Sequence, residues 1–269
     1  MTLELAGVGY RYAGAETPAL LDVDLVLPDA TVVGLAGASE SGKTTLCLVA
    51  SGLAPRTVGG RIRGTIRLDG EVVDAWPMHR LSERIGIGFQ SPATQLSQVA
   101  DTVFEEVAFG PMNLELPRDE VIERTWTALD ALGVSGLAER DPRRLSGGQQ
   151  QLVATAGLLA MRPTHLVLDE PTAQLDPAGT RLVADAISRL AAAGASILVA
   201  EQKTDLLAEV ASRVIVLDGG RIVRDGPTGD VLADPALGEL GVTPPSLVRL
   251  RGAASAAGID PFRLEALDG

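Results

Sequence analysis

Two glycine-rich segments carry residue types that bind phosphate, and the first runs from Gly37 to Thr44. It has the spacing Gly-x-x-x-x-Gly-Lys-Thr, follows the apolar run 31–35 and precedes an apolar helical pattern. Glycines let backbone N–H groups approach an anion, and a helix start favours negative charge. This segment therefore predicts a cradle for nucleotide phosphates, with Lys43 at the β/γ oxygens and Thr44 at Mg²⁺. The predicted phosphate-binding residues are Gly37, Ala38, Ser39, Glu40, Ser41, Gly42, Lys43, Thr44 and Thr45.

The second segment is Leu145-Ser146-Gly147-Gly148-Gln149, called here the signature segment. Gly147 and Gly148 offer bare backbone N–H groups, and Ser146 adds a hydroxyl donor at a predicted helix start. The segment is therefore a second phosphate-binding edge, separate from the first. A chain with two such edges is predicted to close around nucleotide as a dimer. The residues assigned to this edge are Ser146, Gly147, Gly148 and Gln149.

Two adjacent carboxylates, Asp169 and Glu170, follow the apolar strand pattern 166–168. The strand is expected to deliver Asp169 to Mg²⁺ and Glu170 to the γ-phosphate, where a carboxylate polarises the attacking water as general base. The alternative is an acidic strand end in which Asp169 caps a turn. The presence of the phosphate loop in the same chain favours the catalytic interpretation.

The elements that must position these residues alternate between strands and helices. Residues from about 92 to 144 differ from the rest, with helical patterns, proline and glycine punctuation and many acidic positions. Continuous apolar strands between helices imply a mainly parallel sheet that is covered on both faces. The predicted strands are 3–5, 25–27, 31–35, 61–68, 166–168 and 196–200, and the predicted helices are about 42–53, 147–160 and 178–193.

Composition excludes several classes of protein. The chain has 269 residues and a formal net charge of −12, which argues against a surface for duplex nucleic acid. Aromatic residues are 3% of the total, so aromatic platforms on which the bases of single-stranded nucleic acid stack are not expected either. Apolar runs are interrupted before they reach membrane-spanning length, and the start of the chain does not resemble a signal peptide. The single Cys47 excludes an internal disulfide, and its apolar surroundings predict a buried, inert thiol in a soluble cytoplasmic protein.

The motifs together resemble the nucleotide-binding domain of ABC transporters, and the resemblance covers nearly the whole chain. It implies that Tyr12 stacks on adenine and that Gln90 is the Q-loop glutamine, a catalytic residue that also contacts Mg²⁺. Residues 173–176 are similar to the D-loop. The alternatives are a packing role for Tyr12 and an ordinary loop amide for Gln90.

The resemblance also implies the architecture. It predicts an α/β fold, a P-loop NTPase of ABC type, with a mainly parallel sheet, an N-terminal antiparallel β-subdomain and a helical subdomain. Residues 1–234 would form the nucleotide-binding domain, a RecA-like core into which the helical subdomain (about 92–145) is inserted. Residues 235–269 would form a C-terminal helical extension that serves as a dimerisation element.

A narrower resemblance is to the ATPases of energy-coupling factor (ECF) importers. It rests on the sequences Phe89-Gln90-Ser91-Pro92 with Gln95-Leu96, on Val103-Phe104-Glu105-Glu106-Val107-Ala108-Phe109-Gly110-Pro111 and on Gly241-Val242-Thr243-Pro244-Pro245. In such importers the segment after the Q-loop forms a groove for helices of a membrane scaffold. Asp101, Glu105 and Glu106 would make that groove acidic and suited to arginines. The alternative is a solvated acidic helix face.

Two positions depart from the family pattern. Glu40 replaces a small residue, commonly glycine, so a carboxylate lies near the phosphates and the backbone is more restricted. Gln202 falls where the family has its switch histidine, and a glutamine neither carries positive charge nor shuttles a proton. Because ABC sites are composite, both changes affect the site around Lys43, whereas the signature segment serves the opposite site. The prediction is an asymmetric pair, with weak hydrolysis at this chain's own site.

The sequence therefore predicts the ATP-binding and ATP-hydrolysing subunit of an ECF-type importer, with ATP and Mg²⁺ as cofactors and Glu170, Gln90 and Gln202 as catalytic residues. Its expected partners are a second ATPase, identical or not, and membrane scaffold and substrate-binding subunits, at the cytoplasmic face of the membrane. The transported vitamin, vitamin precursor or metal ion is not encoded in this chain. The alternative is a degenerate nucleotide-binding module that gates a partner ATPase and turns over little itself.

Overall fold

The computed structural model describes residues 2–257, which form two β-sheets with helices packed on them. The strands are β1 (Leu3–Arg11), β2 (Leu20–Leu27), β3 (Val32–Ala36), β4 (Arg61–Leu68), β5 (Glu71–Val72), β6 (Ile85–Gly88), β7 (His165–Asp169), β8 (Ser196–Ala200), β9 (Arg213–Asp218) and β10 (Arg221–Pro227). The helices are α1 (Lys43–Ala50), α2 (Leu53–Arg56), α3 (Met78–Ser82), α4 (Val103–Asn113), α5 (Arg118–Ala131), α6 (Gly147–Met161), α7 (Pro177–Ala192), α8 (Thr204–Val210), α9 (Thr228–Leu232) and α10 (Ser246–Ala256). Short 3₁₀ turns occur at Pro92–Thr94, Ser135–Leu137, Pro142–Arg144 and Pro235–Gly238.

The larger sheet has six strands in the order β10-β9-β3-β8-β7-β6. All neighbours are parallel except β10, which pairs antiparallel with β9, so the predicted mainly parallel sheet is confirmed. Strands β3, β7 and β8 are buried along their whole length because α6, α7 and α8 cover one face of the sheet, while α1 and the smaller sheet cover the other. The carboxyl ends of parallel strands meet at one edge of a sheet. The loops that follow Ala36, Gly88, Asp169 and Ala200 therefore all emerge at the same edge.

The smaller sheet is antiparallel, in the order β2-β1-β4-β5, and corresponds to the predicted N-terminal β-subdomain. Strand β1 is longer than the alternation over residues 3–5 predicts. A register shift between Leu5 and Val8, with Gly7 at φ 58°, interrupts the alternation, and pairing with β2 and β4 then resumes. This irregularity hides the second half of the strand from a two-residue period. Because β1 continues to Arg11, Tyr12 directly follows the end of this strand.

The helix after the phosphate loop is shorter than predicted. Helix α1 ends at Ala50, and Gly52, at φ 78°, starts the separate helix α2. Cys47 lies on the buried face of α1 with 1% of its surface exposed, as its apolar neighbours predict. Between β6 and the signature segment the chain forms α4 and α5, which pack against each other and against α6. Thr102 and Glu105 form a capping box that starts α4.

The described part of the C-terminal segment packs on the same edge of the larger sheet. The Thr204 hydroxyl donates to the Thr243 carbonyl at 2.7 Å, and the Ser246 N–H donates to the Asp205 carboxylate at 2.7 Å. Helix α10 follows, and residues 258–269 of the predicted extension lie outside the described residues. Within 2–257, no helix combines the length and the hydropathy needed to cross a membrane.

Candidate functional site

The loops at the carboxyl edge of the larger sheet enclose a cavity of about 670 Å³. The loop after β3 supplies its centre, and α1 continues from it. Gly37 closes the back of the loop, because a Cβ at this position would lie 2.5 Å from the Leu217 carbonyl oxygen. The predicted site residues that line the cavity are Tyr12, Ser39, Glu40, Gly42, Lys43, Thr44, Thr45, Gln90, Glu170 and Gln202. Gly37, Ala38 and Ser41 belong to the same loop but do not line the cavity.

Lys43 is held in place by the loop that it follows. Its ammonium group donates to the Gly37 carbonyl at 2.7 Å and to the Ala38 carbonyl at 2.8 Å, and 6% of the residue is exposed. Burial lowers the pKa of Lys43, and the charges of Glu170 and Asp169 partly oppose that shift. An ammonium group has three N–H donors, so one remains for an oxyanion in the cavity.

Asp169 has the features of a metal ligand. The residue is 4% exposed, and its Oδ1 atom has no hydrogen-bond partner among the described residues. Burial raises the pKa of Asp169, while a hydrogen bond from Thr44 opposes the rise. Mg²⁺ prefers carboxylate and hydroxyl oxygens and keeps several waters, so this pair of oxygen donors at the edge of a phosphate-binding cavity fits Mg²⁺.

Glu170 and Gln90 form a direct contact across two neighbouring strand ends. The Gln90 Nε2 atom donates to Glu170 Oε2 at 2.9 Å. The Glu170 backbone has φ 50°, in the left-handed region, and its N–H donates to the Ala200 carbonyl at 2.8 Å. Non-glycine residues in this region cost free energy and cluster at functional sites. The structure thus brings the predicted base and the predicted Q-loop residue together in one hydrogen-bonded pair.

Tyr12 contributes to both the packing and the cavity. Its hydroxyl lies 3.0 Å from Thr45 Oγ1, and its ring packs edge to face on Tyr10 with centroids 4.9 Å apart. The residue is half-buried and lines the cavity. The packing interpretation of Tyr12 therefore accounts for part of its environment, and stacking on adenine remains a prediction.

The signature segment lies outside this cavity. Ser146 caps α6 by accepting the Gln149 N–H at 3.3 Å, and the Gln149 side chain accepts the Ser146 N–H at 3.1 Å. Ser146 and Gly147 are exposed. Gly147 lies against Gln174 in the predicted D-loop, where a Cβ would be 2.5 Å from the amide oxygen. The two predicted phosphate-binding edges therefore lie apart, and this chain does not bring them together by itself.

The two departures from the family pattern both line this cavity, with Glu40 inside the phosphate loop and Gln202 beside it. Glu40 is exposed, lines the cavity and has φ 65°, a left-handed conformation that a glycine adopts without strain. The Gln202 Nε2 atom approaches Ser39 Oγ at 3.4 Å, so the switch position contacts the phosphate loop through a neutral amide.

Glu201 is a site residue that the sequence analysis did not single out. It is 2% exposed, and its Oε1 accepts the Thr172 N–H at 3.1 Å and the Thr172 hydroxyl at 2.6 Å. Burial raises the pKa of Glu201, and hydrogen bonds from Thr172 and the Lys203 backbone oppose that rise. This carboxylate ties the loop after Glu170 to the loop that contains Gln202. The signal in the sequence was a charged residue placed directly after the apolar run 197–200.

We expect Glu201→Ala to lower kcat for ATP by on the order of tenfold, because loss of the carboxylate lets the Glu170 and Gln202 loops move apart. It also leaves the buried Thr172 N–H without an acceptor, at a cost of about 1–3 kcal/mol of stability. Glu201→Gln keeps an oxygen for Thr172 and should retain most of the activity. Steady-state kinetics with thermal unfolding of both variants checks this. Equal kcat values for the alanine and glutamine variants would show that Glu201 has no positioning role.

The fold and site define a class of protein: a nucleotide-binding protein with a phosphate loop after a parallel strand and an Asp-Glu pair at the end of another. Residues 20–173 match the family model described as ABC transporter, and the chain belongs to that family. It is 38% identical over 249 residues to the energy-coupling factor transporter ATP-binding protein EcfA of Methanosarcina acetivorans, covering 92% of this chain and 88% of the relative. Other relatives are longer, and the chain spans 41% of the length of two of them.

Solved structures show the same fold. The chain aligns with cbiO1 from Clostridium perfringens, part of the ABC transporter complex cbiONQ, with a TM-score of 0.75 and 30% identity over 92% of this chain and 97% of that one. It also aligns with the ATP-binding cassette MJ0796, in a dimeric post-hydrolysis state bound to ADP and Pi, with a TM-score of 0.74 and 25% identity over 84% and 98% of the two chains.

Proposed function

We propose that this chain is the ATP-binding and ATP-hydrolysing subunit of an ECF-type ABC importer. The observation that carries the proposal is the cavity lined by Lys43, Glu170, Gln90 and Gln202. Asp169 is buried next to Glu170 at the end of β7, and the signature segment is exposed elsewhere. The identity with EcfA and the likeness to cbiO1 support the ECF type.

Each residue in the cavity has a role in this function. Lys43 and the N–H groups at the start of α1 would hold the phosphates, and Thr44, Asp169 and Gln90 would hold Mg²⁺. When bound, Mg²⁺ supplies charge neutralisation on the phosphate oxygens. Glu170 accepts a proton from the attacking water as general base, and Gln90 orients that carboxylate through the 2.9 Å hydrogen bond.

A second ATPase completes the site. The chain's own cavity lacks a signature segment, whose Ser146 and Gly147 are exposed for contact with another chain. The dimeric state of the MJ0796 cassette supports such an arrangement. We further propose that residues 1–234 act as the nucleotide-binding domain, with the helical subdomain at about 92–145, and that the extension 235–269 contributes to dimerisation.

The surface of α4 and α5 is the proposed contact with the membrane scaffold. Phe104 and Trp126 pack together there, and Trp126, Phe109 and Met112 keep 40%, 44% and 63% of their surface exposed. The carboxylates of Glu105 and Glu106 contribute less negative charge to this surface than the predicted acidic groove requires, because both accept hydrogen bonds within the chain. Glu105 accepts the N–H groups of its own capping box, and the Ser97 N–H and hydroxyl donate to Glu106. Asp101 also has a partner, since its carboxylate lies 3.6 Å from the Arg143 guanidinium, but its side chain is 88% exposed. The electrostatic part of the docking proposal therefore rests mainly on Asp101.

The chain's own site is proposed to hydrolyse ATP slowly. The left-handed backbone at Glu40 costs about 1–2 kcal/mol relative to glycine, and its carboxylate lies at the edge of a cavity for an anion. Gln202 can donate a hydrogen bond to a phosphate oxygen but cannot add positive charge. When ATP binds, this chain and its partner ATPase would close on each other at the cytoplasmic face of the membrane. This closure would drive a membrane scaffold and a substrate-binding subunit, which take up a vitamin, a vitamin precursor or a metal ion.

The proposal is tested by isolating the chain from its own cells in mild detergent. We expect an integral membrane scaffold with basic cytoplasmic helices to copurify, together with ATPase activity. Asp101→Arg should remove the scaffold because it reverses the charge of the docking surface, whereas Asp185→Arg, on α7, should not. Recovery of the chain without any membrane protein, in detergents that preserve other transporters, would contradict the ECF-type function.

A further inference from the structure

A second cleft, of about 490 Å³, lies on the smaller sheet and is rich in arginine. Arg11 at the end of β1, Arg61 and Arg63 on β4, and Arg221 at the start of β10 line it. We call these four residues the arginine cleft. They come from three strands that are distant in sequence, so no local sequence pattern accounts for their convergence.

The strand register places like charges against each other in this cleft. Arg11 is directly opposite Arg61 in the antiparallel pair of β1 and β4, and Gly9 is directly opposite Arg63. Like charges in directly opposed positions destabilise a sheet. Gly9 has no side chain, so Arg63 has no side chain opposite it on β1. The arrangement costs stability in the free chain and favours a ligand that neutralises the guanidinium groups.

The guanidinium groups of the four arginines form no hydrogen bond and no ion pair with other groups of residues 2–257, although the backbones of these residues pair in the sheets. Other arginines of the chain do form ion pairs, as in the bridges from Arg213 to Asp225 at 2.6 Å and from Arg224 to Asp234 at 2.8 Å. The chain has 35 acidic and 23 basic side chains, so carboxylates are not scarce. Glu16 and Asp22 also line the cleft without pairing to an arginine. Four guanidinium groups against two carboxylates leave a local positive excess in a chain of net charge −12.

We propose that the arginine cleft binds a small, free ligand that carries two or more phosphate charges, such as a diphosphate group. Guanidinium groups match phosphate oxygens with paired, charge-assisted hydrogen bonds, and several of them together suit a multiply charged anion. The volume of the cleft lies within the range of small-molecule sites. The net negative charge of the chain disfavours an extended polyanion, which would contact much more of the surface.

The cleft is linked to the nucleotide cavity. Pro18 lines both, and Arg221 follows directly on Gly220, which lines the cavity. The Leu21 N–H donates to the Gly220 carbonyl at 2.8 Å and so ties the two segments together. A ligand held between Arg11 and Arg221 restrains both edges of the nucleotide cavity. This consequence rests on the proposed function and predicts slower nucleotide exchange when the cleft is filled, whereas binding to the cleft itself does not depend on that function.

Calorimetry with inorganic pyrophosphate tests the proposal. The chain is first saturated with a non-hydrolysable ATP analogue and Mg²⁺, so that the phosphate loop cannot take the probe. We expect one pyrophosphate site per chain. Arg61→Ala or Arg63→Ala should lower its affinity for pyrophosphate about tenfold or more, because each substitution removes charge-assisted hydrogen bonds. The control Arg181→Ala, an exposed arginine on α7, should bind like the parent chain. Absence of a site, or equal binding by all variants, would overturn the proposal.

A second arm separates the free ligand from a lipid headgroup. Vesicles of phosphatidylcholine with and without phosphatidic acid are sedimented with the same proteins. We expect the parent chain and the two variants to bind the vesicles equally weakly. If the parent chain binds vesicles, both variants lose that binding and no pyrophosphate site exists in solution, the proposal is overturned. The arginine variants should bind the ATP analogue with unchanged affinity. If the parent chain does not bind the ATP analogue, the result counts against the proposed function and not against binding at the arginine cleft.

Discussion

Glu170→Gln is expected to bind Mg·ATP but to hydrolyse it about 10²–10⁴-fold more slowly than the parent chain, the usual contribution of a general base. The substitution removes the negative charge that accepts the proton of water. It leaves the geometry nearly intact, because the amide oxygen of the substituted side chain can still accept the hydrogen bond from Gln90 that spans 2.9 Å here. The loss should therefore appear in kcat and not in the affinity for nucleotide.

The measurement compares phosphate release and binding of a fluorescent ATP analogue for the two chains. Glu209→Gln, an exposed position on α8, serves as the control for loss of one carboxylate and should match the parent. If the parent chain and Glu170→Gln release phosphate at the same background rate, the chain does not turn over as a homodimer. That result would favour the gating module over the ATPase.

The second large effect is expected from Ser146→Arg in a pair formed with a non-identical second ATPase. Ser146 is exposed at the start of α6 and does not line the chain's own cavity, so in the proposed pair an arginine there would disrupt the site on the partner. If that site performs most of the hydrolysis, Ser146→Arg should lower the ATPase rate of the pair by about tenfold or more, as loss of a phosphate-contacting donor does elsewhere. Lys43→Ala should lower it less, because Lys43 serves the site weakened by Glu40 and Gln202.

The comparison needs both variants in the same reconstituted pair, with dimer formation monitored by light scattering. Ser188→Arg, an exposed serine on α7, controls for an added arginine at a surface position. A larger loss from Lys43→Ala than from Ser146→Arg would defeat the asymmetric interpretation. It would show that Glu40 and Gln202 leave the chain's own site competent.

The phosphate loop and the Asp169–Glu170 pair could be located from local patterns, because their chemistry depends on residues close together in sequence. The parallel sheet then follows from fully apolar strands between helices, and it implies that strand ends meet at one edge. Element bounds were less predictable. The bulge at Gly7 hid the second half of β1, and α1 ends at Ala50, short of the predicted end near residue 53, because Gly52 adopts a left-handed conformation.

Contacts between distant segments could not be derived in this way. The hydrogen bond from Gln90 to Glu170 joins residues 80 positions apart, and the bond from Thr172 to Glu201 joins residues 29 positions apart. The burial of Glu201 depends on what packs around the end of β8. The pairing of Arg11 with Arg61 depends on the register of β1 and β4.

Residue type and short-range spacing were enough to indicate nucleotide phosphates, Mg²⁺ and a general base, since a phosphate loop works through consecutive backbone N–H groups and one lysine. With the family resemblance, they also led to the prediction that the signature segment acts on another chain. Folding in three dimensions was needed to bring Gln90, Glu170 and Gln202 into one cavity and to leave Ser146 outside it. The physical reason is that a hydrogen bond acts over about 3 Å, so side chains from separate loops interact only after the sheet has set the distance between them.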